Sequence, residues 1–373
     1  MAKIEIFELP PEAHAYLKNI LPERQRIFYV KYIVDKIGLF VPSKKKTVEW
    51  QITNPSGGLT LWDILRQGRY LILSTLSIPV GGLVRFDTRL ARATIFTPNP
   101  NHLSLWSYSI QQDEKKRIWS SSTARNNPLR KNAPPQDNPT IARSELNKNS
   151  GTVDYWVLPS DLSYPHQLRY DKFSRLWFSL NLVNGSGKHQ FAVFEPSSNK
   201  MTGFSIDGIG TAGISDIAID EANETVWLTH RGPDEVYRFD WNTNEVDVYE
   251  NHSVNGPDLN DLMAKPVPVF ISRDGYVNTI DANHPTGKRK VFRKSYNVIP
   301  QRTELSSHPL NVAQTKSSVP VSTHVEPETY AGPFIRWPSP VITGTPTNQD
   351  IKTYGSYVYF IESGDTLLCR FKV

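Results

Sequence analysis

The residues best suited to chemistry are a few histidines and carboxylates set in short strand-like runs. His166 follows a proline in Tyr164-Pro-His-Gln-Leu-Arg-Tyr-Asp171, with Arg169 and Tyr170 beside it. An unperturbed imidazole titrates at about 6.5, so this histidine could act as a general base or a metal ligand at neutral pH. It could equally be a hydrogen-bonded histidine that orders its surroundings. His230, in Trp227-Leu-Thr-His-Arg-Gly232, and His14 read first as strand-end or turn residues. His102, His189, His252, His284, His308 and His324 sit in Asn-, Gly- or Pro-rich stretches and are expected to face solvent. Three polar-Asp-aliphatic triplets recur: Ser215-Asp216-Ile217, Asn260-Asp261-Leu262 and Gln349-Asp350-Ile351. A repeated Asp of this kind is expected to accept backbone N–H groups from the neighbouring repeat. The alternative is a ring of oxygen ligands for Ca²⁺ or Mg²⁺. Cys369 is the one cysteine, so no intramolecular disulfide can form.

These residues have to be positioned by something, and the chain supplies a repeat. One aromatic anchor marks a strand of the same shape in each period: Phe7, Trp50, Phe96, Trp156, Phe204, Tyr249 and Phe292. The steps are 43, 46, 60, 48, 45 and 43 residues, and four-stranded propeller blades run at about 40–50. Each period also holds a continuous apolar run, such as Arg26-Ile-Phe-Tyr-Val30, Leu176-Trp-Phe178 or Tyr357-Val-Tyr-Phe-Ile361. Such runs suit strands buried on both faces. The opening strand, Lys3 to Pro10, has no hairpin partner nearby, while Thr366 to Val373 closes the chain as a strand with none following. Pairing the two would satisfy both open edges.

The expected fold is therefore all-β, a seven-bladed β-propeller whose N-terminal strand completes the C-terminal blade. Residues 1–373 read as a single domain, with long excursions at about 120–138 and 297–341. Phe334-Ile-Arg-Trp337 resembles a further outer strand, which leaves eight blades as the alternative. In a propeller the innermost strands line the central channel. Aligning them brings His14, Thr60, Ser104, His166, Ser215, Asn260 and Gln349 to one ring at the mouth, with Trp62, Trp106 and Tyr164 alongside. Convergent polar groups in an aromatic wall are what a small-molecule pocket needs.

The blade Tyr164 to Asp171, Arg175-Leu-Trp-Phe178 and Met201-Thr-Gly-Phe204 resembles a blade of the streptogramin (virginiamycin B) lyase family. Echoes stand at Lys36-Ile-Gly-Leu-Phe40 with Thr47-Val-Glu-Trp50, and at Ile141-Ala-Arg-Ser144 with Thr152-Val-Asp-Tyr155. The resemblance implies a lyase-like propeller in which a Pro-His histidine and a Glu ending a Trp-Phe strand drive β-elimination, assisted by a divalent metal. His166 matches the first position and Glu362, in Tyr359-Phe-Ile-Glu362, the second. The two fall in different blades. Gln349 stands where the histidine partner of Glu362 would be, and Ser179-Leu-Asn181 where the glutamate partner of His166 would be.

Composition narrows the partners. The formal charge is +5, and the basic clusters Lys44–Lys46, Lys115–Arg117 and Lys288–Lys290 each precede a strand, as turn and edge charges do. No continuous basic face with interleaved aromatics points to nucleic acid. No run approaches the roughly 20 apolar residues of a membrane span, and Lys3, Glu5 and Glu8 interrupt any leader-like start. The expectation is a cytoplasmic monomer, or a secreted one had a leader been removed. Two functions stay open: a lyase or hydrolase for a small molecule at the channel mouth, with Mg²⁺ or Ca²⁺ as a cofactor, and a non-catalytic propeller binding a protein or glycan through its loops.

Overall fold

Apolar runs of five to seven residues, cut by Asp-led turns, fold as antiparallel strands. Asp87 Oδ1 accepts from the amides of Arg89 and Leu90 at 3.0 and 3.2 Å, and Asp240 Oδ1 from those of Asn242 and Thr243 at 2.8 and 3.1 Å. Each turn ends on a left-handed residue, Ala91 (φ 48°) or Asn244 (φ 59°), before the next strand. These side-chain acceptors fix the hairpin registers locally.

The structure is a computed structural model. It describes residues 3–12, 16–55, 57–76, 81–98, 105, 107–122, 139–181, 188–209, 213–230, 235–250, 257–262, 268–272, 276–325, 329–331, 334–338, 348–362 and 366–372. Side-chain surroundings are described for these except at 3, 257–279, 324–349 and 362. Among the described residues the regular structure is all strand except one 3-10 segment, Pro42–Lys44.

Five consecutive units are four-stranded meanders. The first runs through Leu17–Glu23, Arg26–Lys31, Lys36–Val41 and Lys46–Thr53, and the fourth through Pro165–Tyr170, Leu176–Leu180, Phe191–Glu195 and Lys200–Ile206. Between those two lie the units of 61–98 and 110–157, and after them that of 214–250. The last unit is Asn348–Tyr354, Tyr357–Glu362 and Leu367–Lys372, with Lys3–Glu8 as its outer strand (Ile6 opposite Cys369). The expected pairing of the two chain ends is therefore present. Each innermost strand packs against that of the next unit, and the last, Asn348–Tyr354, packs against the first, Leu17–Glu23.

The core is accordingly a series of unit-to-unit interfaces. Phe28, Val30 and Trp50 of the first unit meet Leu61, Leu73 and Phe86 of the second. Phe7, Tyr359 and Leu368 of the last unit meet Leu17, Ile27 and Tyr29 of the first. At that junction an ion pair is fully enclosed. Lys31, 0% exposed, is 2.7 Å from Glu49 Oε1 and donates to the Pro10 carbonyl at 2.6 Å. The Tyr29 hydroxyl donates to the same Glu49 oxygen at 2.7 Å, and burial raises its pKa well above the usual range. Gly38 makes room for this ring, since a Cβ there would lie 1.8 Å from Tyr29 Cζ.

One strand lies elsewhere than the repeat predicts. Phe292 does not anchor the outer strand of the unit built on Pro257–Leu262, Pro268–Ser272 and Tyr276–Ile280. That place is taken by Phe334–Pro338, with Val277 opposite Trp337 in the ladder. Phe292 belongs instead to a belt. Gly287–Asn297 pairs antiparallel with the outer strands of the fifth and then the fourth unit. Pro300–Ser318 continues along the third, second and first, and Val321–Val325 reaches Lys3–Glu8 of the last. The segment thus leaves its own unit, passes every other one in reverse order, and returns to supply the strand Phe334–Pro338. Most of the excursion expected at 297–341 is therefore strand. Period alone misleads here, because an edge strand repeats at 2 residues whichever sheet it joins. Of the excursion at about 120–138, only Ser120–Ser122 fall within the described residues, at the end of a strand.

Deleting Met1 to Pro10 removes the partner of Leu367–Lys372, one anchor of the belt and the carbonyl that holds Lys31. A large drop in melting temperature or aggregation is expected, read by thermal denaturation and light scattering; a truncated chain that melts like the intact one would refute closure. Gly38→Ala should destabilise by about 1–3 kcal/mol or more through overpacking against Tyr29, read by chemical denaturation.

Candidate functional site at the channel mouth

One irregularity recurs among the innermost strands. The ladder slips near the start of six of them, at Leu17/Asn19, Leu61/Ile64, Pro165/Leu168, Ile214/Asp216, Asp258/Asp261 and Asn348/Asp350, while Ile110–Gln112 of the third unit pairs without a slip. Bulges re-aim side chains where pairing stops. The bulged positions include Lys18, Trp62, His166, Ser215, Asn260 and Gln349.

Two of these positions, Trp62 and His166, belong to an aromatic arc. Ring centroids step from Tyr16 to Tyr32 (5.9 Å), to Trp62 (5.4 Å), to Tyr108 (5.1 Å) and to His166 (4.9 Å). Lys18 Nζ sits 4.2 Å from the Trp62 centroid. At the end of the arc His166 Nδ1 is 3.1 Å from the Ser215 carbonyl. A carbonyl only accepts, so Nδ1 carries a hydrogen, and in the neutral ring the lone pair is on Nε2.

Below the arc, side chains stitch neighbouring units together. Asp350 Oδ2 accepts from the Ile20 amide at 2.8 Å, and Asn19 donates to the Trp62 carbonyl at 3.0 Å. Asp63 Oδ2 accepts from the Ile110 amide at 2.8 Å, and Ser109 Oγ from the Leu168 amide at 3.3 Å. The cross-repeat role expected for the recurring Asp is thus seen at Asp350. Burial raises the pKa of both Asp63 and Asp350, opposed by these amides and by Lys352, whose Nζ lies 2.9 Å from Asp350 Oδ1. Arg169 Nη2 lies 3.5 Å from Asp216 Oδ1.

The predicted site residues fall as follows. Thr60 (φ 50°) and Tyr164 (φ 59°) hold left-handed conformations just before their innermost strands. Their carbonyls accept from Leu76 and Asn181 at 3.0 and 2.9 Å. Ser215 lies beside His166, and its hydroxyl is 3.0 Å from Thr229 Oγ1. Asn260 and Gln349 occupy their strands, and Glu362 faces Asn348 in the ladder of the last unit; their side chains are outside the described set. His14 and Ser104 lie outside the described residues. The ring predicted from sequence omits Lys18, Tyr32 and Tyr108. Stepping back two residues from the aliphatics Ile20, Ile64, Ile110 and Leu168 of the innermost strands would have found Lys18, Trp62, Tyr108 and His166. His189, expected in solvent, is 6% exposed, because the belt covers it. Among the described residues no group of three or more His, Cys, Asp or Glu could hold a metal ion.

No protein-family model and no curated protein matches the chain. Solved structures do. A circle of four-stranded sheets around a channel is a β-propeller, and the Dos1 propeller matches with a TM-score of 0.58 over 97% of this chain and 93% of its own, at 9% identity. Among propellers, the fold is streptogramin B lyase-like. A catalytically inactive variant of virginiamycin B lyase from Staphylococcus aureus, solved with quinupristin, matches with a TM-score of 0.68 over 99% of both chains at 14% identity. A streptogramin B lyase structure matches at 0.63 over 100% of this chain and 98% of its own, at 13% identity.

The raised carboxyls set a pH dependence. The folded chain keeps the protons of Asp63 and Asp350 where the unfolded chain has lost them. Their contribution is complete below the unfolded value, 3.8, and is lost as pH rises through the folded pKa. Asp350→Asn should flatten this slope while still accepting from Ile20. Asp350→Ala should cost about 1–3 kcal/mol by leaving that amide unsatisfied. Denaturant titrations across pH check both; an alanine variant as stable as the parent would refute the cross-unit bond.

Proposed function

We propose that residues 1–373 form one seven-bladed propeller that binds a small molecule at the channel mouth and acts on it as a lyase or hydrolase. The observation that carries this reading is the geometry of His166, whose Nδ1 is tied to the Ser215 carbonyl and whose ring ends an aromatic arc. In elimination, Nε2 would take a proton from the carbon next to the one bearing the leaving oxygen; the C–H electrons form the double bond as the C–O bond breaks. In hydrolysis the same atom would take a proton from water. Tyr164, Ser215, Asn260 and Gln349, with His14, Thr60 and Ser104, would shape the pocket, and Glu362 would assist from the last unit. The resemblance also implies Mg²⁺ or Ca²⁺. The described channel carboxylates are engaged by amides, Lys352 and Arg169 and do not form a ligand set, so no step here passes through an ion.

His166→Ala and His166→Gln should abolish turnover of an aromatic cyclic depsipeptide, by about 10²–10⁴-fold, with little change in melting temperature. Asp216→Ala should instead destabilise the fold. If the His166 variants lose as much stability as Asp216→Ala, the histidine is structural and the enzyme reading fails. Thermal shift with EDTA, then with Mg²⁺ or Ca²⁺, tests the ion.

A further inference from the structure

A second constellation lies at the rim, where the belt crosses the fourth unit. His189 Nδ1 is 2.8 Å from Ser205 Oγ, and Nε2 is 2.9 Å from the Tyr296 hydroxyl. That hydroxyl donates to Asp161 Oδ2 at 2.9 Å. Lys294 Nζ lies 2.9 Å from the same carboxylate and Lys188 Nζ 3.8 Å. Gly203 leaves space for the imidazole, since a Cβ there would lie 2.5 Å from His189 Cδ2.

The directions of these bonds follow from chemistry. An ionised carboxylate only accepts, so the single Tyr296 hydrogen goes to Asp161. The Tyr296 oxygen then accepts from His189, which places the imidazole hydrogen on Nε2. The lone pair of the neutral ring is left on Nδ1, facing Ser205 Oγ. The Ser205 hydrogen has two acceptors at 2.8 Å, Nδ1 and the Lys188 carbonyl.

We propose that Ser205, His189, Tyr296 and Asp161 form a second reactive site, with Ser205 as nucleophile toward carboxylic esters bearing an apolar acyl group. A hydroxyl within reach of a base, itself oriented by a third group, is the general arrangement of an activated nucleophile. Ser205 stands directly opposite Phe292 in the ladder, and Phe292 is 59% exposed, so an acyl chain has a surface beside the hydroxyl. Ser205 Oγ attacks the carbonyl carbon while its proton passes to Nδ1. The C–O bond to the alcohol then breaks, and the alcohol leaves with that proton. Water, deprotonated by Nδ1, cleaves the acyl-serine, releasing the acid and restoring the hydroxyl. Tyr296 and Asp161 stabilise the imidazolium and act as positioning residues. Tyr296 and Phe292 come from the belt, so the site exists only while the belt is docked. Burial holds the His189 pKa below its ordinary value; Asp161 opposes this, and Lys294 and Lys188 add to it. Reactivity should therefore persist to lower pH than an ordinary histidine allows.

The test is labelling of the full chain with a fluorophosphonate, mapped by mass spectrometry, together with hydrolysis of p-nitrophenyl butyrate. A single adduct on Ser205 is expected. Hydrolysis should fall about 10²–10⁴-fold in Ser205→Ala and His189→Gln. Tyr296→Phe keeps the ring but cuts the link to Asp161, so it should slow labelling and shift its pH midpoint at nearly unchanged melting temperature. His166→Ala should label normally, which separates this site from the channel reading. No adduct on Ser205 in the parent, or equal labelling rates in the parent and Tyr296→Phe, would overturn the proposal even if His189→Gln failed to fold.

Discussion

A four-stranded antiparallel sheet has two faces and two edges, and rich apolar runs on its middle strands demand that both faces be covered. A circle of such sheets meets the demand, each covering the next, provided the last finds the first. Here the provision is the pairing of Lys3–Glu8 with Leu367–Lys372. It lets Phe7, Leu368 and Tyr359 pack against Tyr29 and Leu17, and it brings Pro10 to the Lys31 ammonium. Without that junction the first and last units would each expose a hydrophobic face.

The channel depends on the same closure. Side-chain bonds such as Asp350 to Ile20 and Asp63 to Ile110 span unit boundaries, so they exist only when the units stand at fixed angles. Trp62, Tyr108 and His166 come from three successive units and meet ring to ring, so the arc is a property of the ring rather than of any one unit.

Much of this is legible in the sequence. The apolar runs mark the middle strands because burial on both faces leaves no room for polar alternation. The orphan strands at the two ends of the chain mark the closure. The level of the ring is harder: Thr60 lies two residues before Trp62, and a bulge shifts register without leaving a mark in composition. The belt is not legible. Its Ser-, Thr- and Pro-rich stretch has one exposed side and shallow contacts on the other, so it lacks the apolar pattern that marks buried strands. His189 is misjudged for the same reason, since Tyr296, which helps to bury it, lies 107 residues away in sequence.

The belt also changes how the ring can come apart. In a ring of units held only by neighbours, one unit can open while the rest stay folded. A strand laddered to the outer edges of successive units couples those openings, since freeing one stretch loosens its grip on the next. Its ladders join residues far apart in sequence, and a belt that docked on units already formed would make those contacts late in folding. Interactions made after the rate-limiting step slow unfolding more than they speed folding. A belt docked last across the outer edges of six units would act chiefly as a source of persistence, lengthening the lifetime of the folded state.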